Sequence, residues 1–165
     1  EANPQAHYKT TGPELVADTD GKIDIAVMLA GTAGTLAGIG TYLQEHIKGV
    51  KIVGVQPTPD SLSGPGDNVD TIDGVVRFDT PEGCRHPFVV RRNFKYDEVI
   101  DVTGADSYAT AREVAQSDGI LLGASAAAAL TAAKQLALRP ENEGKTIVAI
   151  LVDNGMKYLS TNMYK

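Results

Sequence analysis

Between Lys22 and His46 the chain admits one local architecture. The run Ile23-Asp-Ile-Ala-Val-Met-Leu-Ala30 is short, apolar and bounded by polar positions, which predicts a buried parallel strand. It breaks at Gly31-Thr-Ala-Gly-Thr35; beyond it Leu36, Ile39, Tyr42, Leu43 and Ile47 recur at three- and four-residue spacing, which predicts a helix. A strand that turns through small residues into a helix start gathers unpaired N–H groups and the positive end of a helix dipole at one point, a setting for an anion. Glycine turns also join strands to helices in α/β proteins that bind nothing there, so the turn alone leaves both readings open. Nucleotide signatures are a poor match. No Gly-Lys-Ser/Thr follows the turn, and a dinucleotide fingerprint forced onto Gly34, Gly38 and Gly40 has the wrong spacing, with no acidic residue ending Lys51-Ile-Val-Gly-Val-Gln-Pro57. A compact phosphate monoester suits the turn better than a pyrophosphate.

The remaining elements follow the same alternation. Residues 1–20 contain Asn3-Pro4 and Gly12-Pro13 and no apolar strand, so they read as an irregular arm leading into an already buried strand, as if the chain were the second half of something larger. After the strand 51–57, residues 58–97 form a long irregular loop rich in Pro, Gly, Asp and Arg; loops of that length are usually functional. Glu98–Val102 predicts a strand, Ala105–Ser117 a helix, and Ala124–Leu138 an alanine-rich helix stopped by Arg139-Pro140. Ser125 stands where an N-cap is expected. Lys145–Val152 reads as another fully buried strand, ending in Asp153-Asn154-Gly155. The fold class is therefore α/β, an open, mostly parallel sheet with helices on both faces. Ligands of such sheets sit at the carboxyl ends of the strands, which would gather Gly31–Thr35, Ser125 and Asp153–Gly155.

Composition narrows the function. A chain of 165 residues, 42% hydrophobic and 22% charged, suits one domain with a real core. A net charge of −6 argues against nucleic acid, and the one basic cluster, Arg91-Arg92 with Lys95, is small. The single cysteine, Cys84, leaves no internal disulfide and fits a reducing compartment. His7, His46 and His86 are scattered, so no metal site is expected. No apolar run approaches membrane-spanning length and no signal peptide opens the sequence, so the expected location is the cytoplasm, with no membrane partner.

Seven ordered segments carry a resemblance. They are Asn3-Pro-x-x-His7-Tyr8-x-Thr10-Thr11-Gly12-Pro13-Glu14, Gly31-Thr-x-Gly-Thr35, Val53-Gly-Val-Gln-Pro57, Glu98-Val-Ile100, Gly119-Ile-Leu-Leu-Gly-x-Ser125, Pro140-Glu-Asn-x-Gly-Lys-Thr-Ile-Val148 and Asp153-x-Gly-x-Lys157-Tyr-Leu-Ser-Thr161. Together the chain resembles the pyridoxal-phosphate-dependent cysteine synthases (O-acetylserine sulfhydrylases) and cystathionine β-synthase, of fold type II, with the B-type cysteine synthases the nearer match. The resemblance implies that Gly31, Thr32, Gly34 and Thr35, with Ala33 in the same turn, hold the phosphate of pyridoxal 5'-phosphate. It implies that Ser125 faces the pyridine nitrogen and that Asp153 and Asn154 lie near the ring. It implies β-replacement: loss of a β-leaving group from O-acetylserine, O-phosphoserine or serine, then addition of sulfide or another nucleophile.

The departures matter as much. The family's Schiff-base lysine sits in a Ser-x-Lys motif near its N-terminus, followed by a Thr-Ser-Gly-Asn substrate loop, and none of the nine lysines here has that context. The catalytic lysine is thus unknown in this chain. Residues 1–165 correspond to the C-terminal part of such a catalytic domain, with residues 58–97 at the substrate mouth. The implied partners are the N-terminal portion of the same enzyme and a small amino acid, in a homo-oligomer. Ala33 replaces a glycine of the turn, a mild change in ordinary backbone geometry, and Ala127 replaces another, which is expected to crowd the pocket. The substrate loop shrinks to Ile72-Asp-Gly-Val-Val76 and residues 77–94 do not match. Two alternatives stay open: an inactive pseudo-enzyme or regulatory binding subunit of the same fold, and a cystathionine β-synthase-like activity.

Overall fold

The computed structural model describes residues 2–63, 70–77 and 94–165. Four parallel strands, β1 (Ile25–Leu29), β2 (Lys51–Pro57), β3 (Glu98–Val102) and β4 (Ile147–Ala149), form one sheet in the order β3-β2-β1-β4. Strand β1 lies between β2 and β4, with Val27 opposite Val53 on one side and Ala149 on the other. Its side chains alternate between two cores. Ile25, Val27 and Leu29 meet α5 (Ala124–Ala137) through Ala128, Ala129, Ala132 and Leu136, while Ala26, Met28 and Ala30 meet α3 (Gly34–His46) through Leu36, Ile39 and Leu43. Burial on both faces is why β1 reads as a continuous apolar run. Helix α4 (Gly104–Ser117) backs α5 and is capped by Thr103, whose hydroxyl accepts the Asp106 N–H at 3.0 Å.

Two sequence expectations need correction. The arm is not irregular: α1 (Ala2–Lys9) and α2 (Thr11–Asp18) fill most of it. Pro4 and Pro13 stand in first turns, where a missing N–H breaks no helical bond, and Gly12 packs against the Tyr42 ring, 2.7 Å from where its Cβ would be. Helix α1 seats on α3 by close backbone approach, since a Cβ on Gly34 would fall 2.4 Å from the Asn3 side chain and one on Gly38 would fall 2.4 Å from the Pro4 carbonyl. The glycines that mimicked a dinucleotide fingerprint are packing glycines. Strand β4 is not fully buried either. It spans three half-buried residues at the sheet edge, and Leu151 and Val152 beyond it are 45% and 58% exposed. Among the described residues no strand pairs with its outer edge, so the apolar run has a neighbour on one side only.

Of the long loop, the described residues hold a single 3-10 turn, Pro59–Ser61, and a bridge between Leu62 and Ile72. Arg91, Arg92, Cys84 and His86 lie outside the described residues. No helix among the described residues is long and apolar enough to cross a membrane.

A two-pronged ion pair ties β3 to the end of α5: Arg139 reaches the two Glu98 oxygens at 2.9 and 2.6 Å. Its hydrogen bonds hold the Glu98 carboxyl below the usual range, against the opposing effect of burial. A depressed carboxylate pKa adds stability above the unfolded value and loses it as pH falls through the folded one. Glu98→Gln is therefore expected to cost about 0.5–1 kcal/mol at neutral pH, where both partners are over a third exposed. In urea titrations the deficit should hold down to about pH 4.5 and then close.

Candidate functional site

At the carboxyl ends of β1 and β4 a cavity of about 370 Å³ opens between α3 and α5. One wall is the turn Gly31–Thr35, another carries Ser125, and a third is formed by Asp73, Gly74 and Val75; Asp153, Lys157 and Tyr158 close the far side. Seven of the eight site residues expected from the sequence thus meet in one space. Asn154 lies outside this lining; its side-chain oxygen accepts the Met156 N–H at 3.1 Å.

The turn is built by a left-handed residue. Ala33, the N-cap of α3, has φ 62° and ψ 13°, so the replaced glycine is not a mild change: an L side chain sits where glycine is at ease. Ala33→Gly should raise stability by about 0.5–1 kcal/mol, read as a higher urea midpoint at unchanged slope. Ala33, Gly34 and Thr35 line the cavity at the start of α3, whose first N–H groups have no intrahelical partner.

Two hydroxyls of the turn are oriented from α1. Asn3 Nδ2 donates to Thr32 Oγ1 at 3.1 Å, and a relay runs from Thr11 Oγ1 through His7 to Thr35 Oγ1, each step 3.1 Å. With the proton on Nε2, His7 donates to Thr35 and accepts from Thr11, which leaves the Thr32 and Thr35 O–H groups to donate into the turn. Sequence reasoning placed Asn3 and His7 in a matching motif without a role.

Ser125 is not the N-cap of α5. Gly123 takes that position and Ser125 stands in the first helical turn, 6% exposed, its hydroxyl without a hydrogen-bond partner among the described residues. A buried hydroxyl in a cavity wall, with no partner among the described residues, can meet a ligand there. The far side is the opposite case. Tyr158 donates to Asp153 Oδ2 at 2.8 Å and Lys157 Nζ stands 3.0 Å from Oδ1. Burial, then Asp153, pushes the Tyr158 phenol well above its ordinary value, so it stays a neutral donor. Ala127 does not crowd the cavity: it is fully buried on the α4 side with Tyr108, Ala111 and Leu122.

The third wall belongs to the shortened substrate loop Ile72-Asp-Gly-Val-Val76, expected at the substrate mouth; its close contact with the turn at Gly31 was not legible in the sequence. Gly74 turns with φ 77°, its carbonyl lies 2.6 Å from where a Gly31 Cβ would be, and the Val76 N–H donates to the Ala30 carbonyl at 3.0 Å. A glycine at 31 is thus required by a chain segment 43 residues downstream in the numbering (74 minus 31). The signal available was Ile72 and Val75, two buried apolar residues flanking Asp73-Gly74 in an otherwise polar loop.

The sequence matches the family described as pyridoxal-phosphate dependent enzyme over residues 1–153. Cysteine synthase 3 of Caenorhabditis elegans is 37% identical over 164 residues, 99% of this chain and 47% of that protein. Cysteine synthase B of Escherichia coli (strain K12) is 37% identical over 98% of this chain and 48% of its own length. The crystal structure of cysteine synthase from Entamoeba histolytica superposes with a TM-score of 0.80 at 37% identity, over 98% of this chain and 46% of that one. The O-acetylserine dependent cystathionine beta-synthase from Helicobacter pylori gives 0.81 at 31% identity, over 99% and 51%. The chain spans about half the length of the curated relatives it matches.

Proposed function

The chain belongs to the family of pyridoxal-phosphate dependent enzymes, and from that premise we propose that it forms the cofactor-cradling half of a cysteine-synthase-like enzyme. The reaction is β-replacement on O-acetylserine, O-phosphoserine or serine, with sulfide or a related nucleophile as acceptor. What carries the reading is the meeting, in one cavity, of an anion turn with two aimed hydroxyls and of a buried, unpaired serine hydroxyl.

The residues fit the group. The N–H groups of Gly34 and Thr35, with the Thr32 and Thr35 hydroxyls, would bind the phosphate; Ser125 would face the ring nitrogen; Asp153 would stand on the ring side. Bound there, the cofactor supplies an electron sink for the bonds at the amino acid's α-carbon. Ser125 would keep the ring nitrogen in a neutral hydrogen bond, Asp73–Val75 would wall the site from water, and His7 would hold Thr35 in its donor orientation. The covalent anchor comes from elsewhere. Lys157, the one lysine lining the cavity, is 66% exposed and paired with Asp153, so the anchoring lysine and proton acceptor belong to the other half of the enzyme. The outer edge of β4, with Leu151 and Val152 exposed beside it, is the seat for that half. The single cysteine and acidic composition suit the cytoplasm.

The test is reconstitution. This chain, co-expressed with a polypeptide carrying the lysine-bearing half of a cysteine synthase, should take up pyridoxal phosphate with visible absorption and convert O-acetylserine and sulfide to cysteine. An assembled pair that takes up no cofactor refutes the proposal; uptake without loss of the acetyl group would make the chain a binding subunit instead.

A further inference from the structure

Beyond Asp73 on the third wall, two groups near the start of α5 line this cavity, and they are chemical opposites: the neutral hydroxyl of Ser125 and the carboxylate of Asp153. Which of them meets the nitrogen decides the charge of the ring, because a carboxylate favours the protonated form and a hydroxyl does not. The surroundings distinguish them sharply. Ser125 Oγ has no partner among the described residues. Asp153, its side chain 17% exposed, has both oxygens engaged, Oδ2 by the Tyr158 hydroxyl at 2.8 Å and Oδ1 by Lys157 at 3.0 Å.

The backbone holds the carboxylate in the same place. The Gly123 N–H donates to the Asp153 carbonyl at 3.1 Å, and a Cβ on Gly123 would fall 2.4 Å from Asp153 Oδ2, so the carboxylate lies flush against the chain entering α5. Releasing the carboxylate would require breaking two charge-assisted bonds at once.

We propose that Lys157 and Tyr158 are positioning residues that keep the Asp153 carboxylate engaged away from the ring nitrogen, so that Ser125 alone partners it. The inference rests on the reading of this cavity as a pyridoxal phosphate site. It makes the pair a determinant of reaction class: an unprotonated ring is a shallow electron sink, suited to expelling a β-leaving group, and a protonated ring is a deeper one that opens competing reactions at the α-carbon.

The measurement is nitrogen NMR of isotope-labelled cofactor in the reconstituted protein. The parent and Asp153→Asn should show an unprotonated ring nitrogen. The double variant Lys157→Met, Tyr158→Phe should move the resonance to the protonated position, and adding Asp153→Asn to it should move the resonance back. A double variant with an unmoved resonance overturns the proposal, as does a parent whose nitrogen is already protonated. Loss of cofactor from Lys157→Met alone also overturns it, since that lysine would then be the anchor. If the parent takes up no cofactor, the functional reading fails first. Cofactor-free crystal structures then judge the lock: the Asp153 carboxylate should leave Gly123 in the double variant, and a carboxylate that stays overturns the inference.

Discussion

Replacing Gly38 by valine is expected to lift α1 from α3 and to cost about 2–3 kcal/mol of stability. The reason is local and steric. A Cβ at this position would meet the Pro4 carbonyl oxygen at 2.4 Å and the His7 Cβ at 2.8 Å, and a carbonyl in a neighbouring helix cannot rotate away as a side-chain tip can. Gly38→Ala should give most of the same loss, because the first carbon already creates the clash. The consequence reaches the cavity through two hydrogen bonds. With α1 displaced, Thr32 loses Asn3 and Thr35 loses His7. At about 0.5–1.5 kcal/mol each, the pair is worth roughly a tenfold drop in affinity for the phosphate group. Hydrogen exchange should rise over residues 5–9 in step with the loss, and urea titration gives the stability change. Unaltered exchange in α1 together with an unaltered midpoint would show that the close approach is not what seats the helix.

That expectation also marks where sequence reasoning stopped. Strands β1 and β2 and helices α3 and α5 are legible because each buries a dense apolar run or stripe, while β3 and α4, which bury fewer apolar residues, are legible from their place in the strand–helix alternation. Helix α1 has no such stripe. Pro4 is its one buried residue, and what seats it is the absence of side chains at Gly34 and Gly38 of another helix. The evidence for α1 was thus written in α3, at a spacing of four, and was read as part of a failed nucleotide motif. Strand β4 erred in the other direction. Its six-residue apolar run is that of a central strand, but burial depends on neighbours, and among the described residues its outer edge has none.

The site divides along the same line. The turn and Ser125 are local features at strand and helix ends, where an α/β sheet gathers ligands. Asp73–Val75 and the Tyr158–Asp153–Lys157 cluster arise from chain segments far apart in sequence, and only the fold brings them against the turn and against Gly123. Ala33 was legible as a substitution but not as a left-handed residue, since its φ of 62° follows from the turn's closure rather than from its own preference.

Ser125→Asp is expected to leave the cofactor bound and to lower β-replacement by about 100-fold, close to 2.7 kcal/mol in the barrier. With Ser125 placed as proposed, a carboxylate at this position would face the ring nitrogen and favour its protonated form, free of the Tyr158 and Lys157 contacts that engage Asp153. Phosphate binding is untouched, because the turn at Gly31–Thr35 lies on the opposite wall of the cavity. The change also buries a second carboxylate beside Asp153, so the cofactor-free variant should be less stable by about 2 kcal/mol, partly regained when a protonated ring neutralises it. Ser125→Ala separates charge from mere loss of a hydrogen bond. It removes a neutral interaction worth about 0.5–1.5 kcal/mol and should slow turnover by roughly tenfold at most. The decisive pattern is a large loss for aspartate, a small one for alanine, and retained cofactor absorption in both. Equal losses for the two would mean that Ser125 acts by shape, and aspartate turnover within threefold of the parent would remove the serine from the ring altogether.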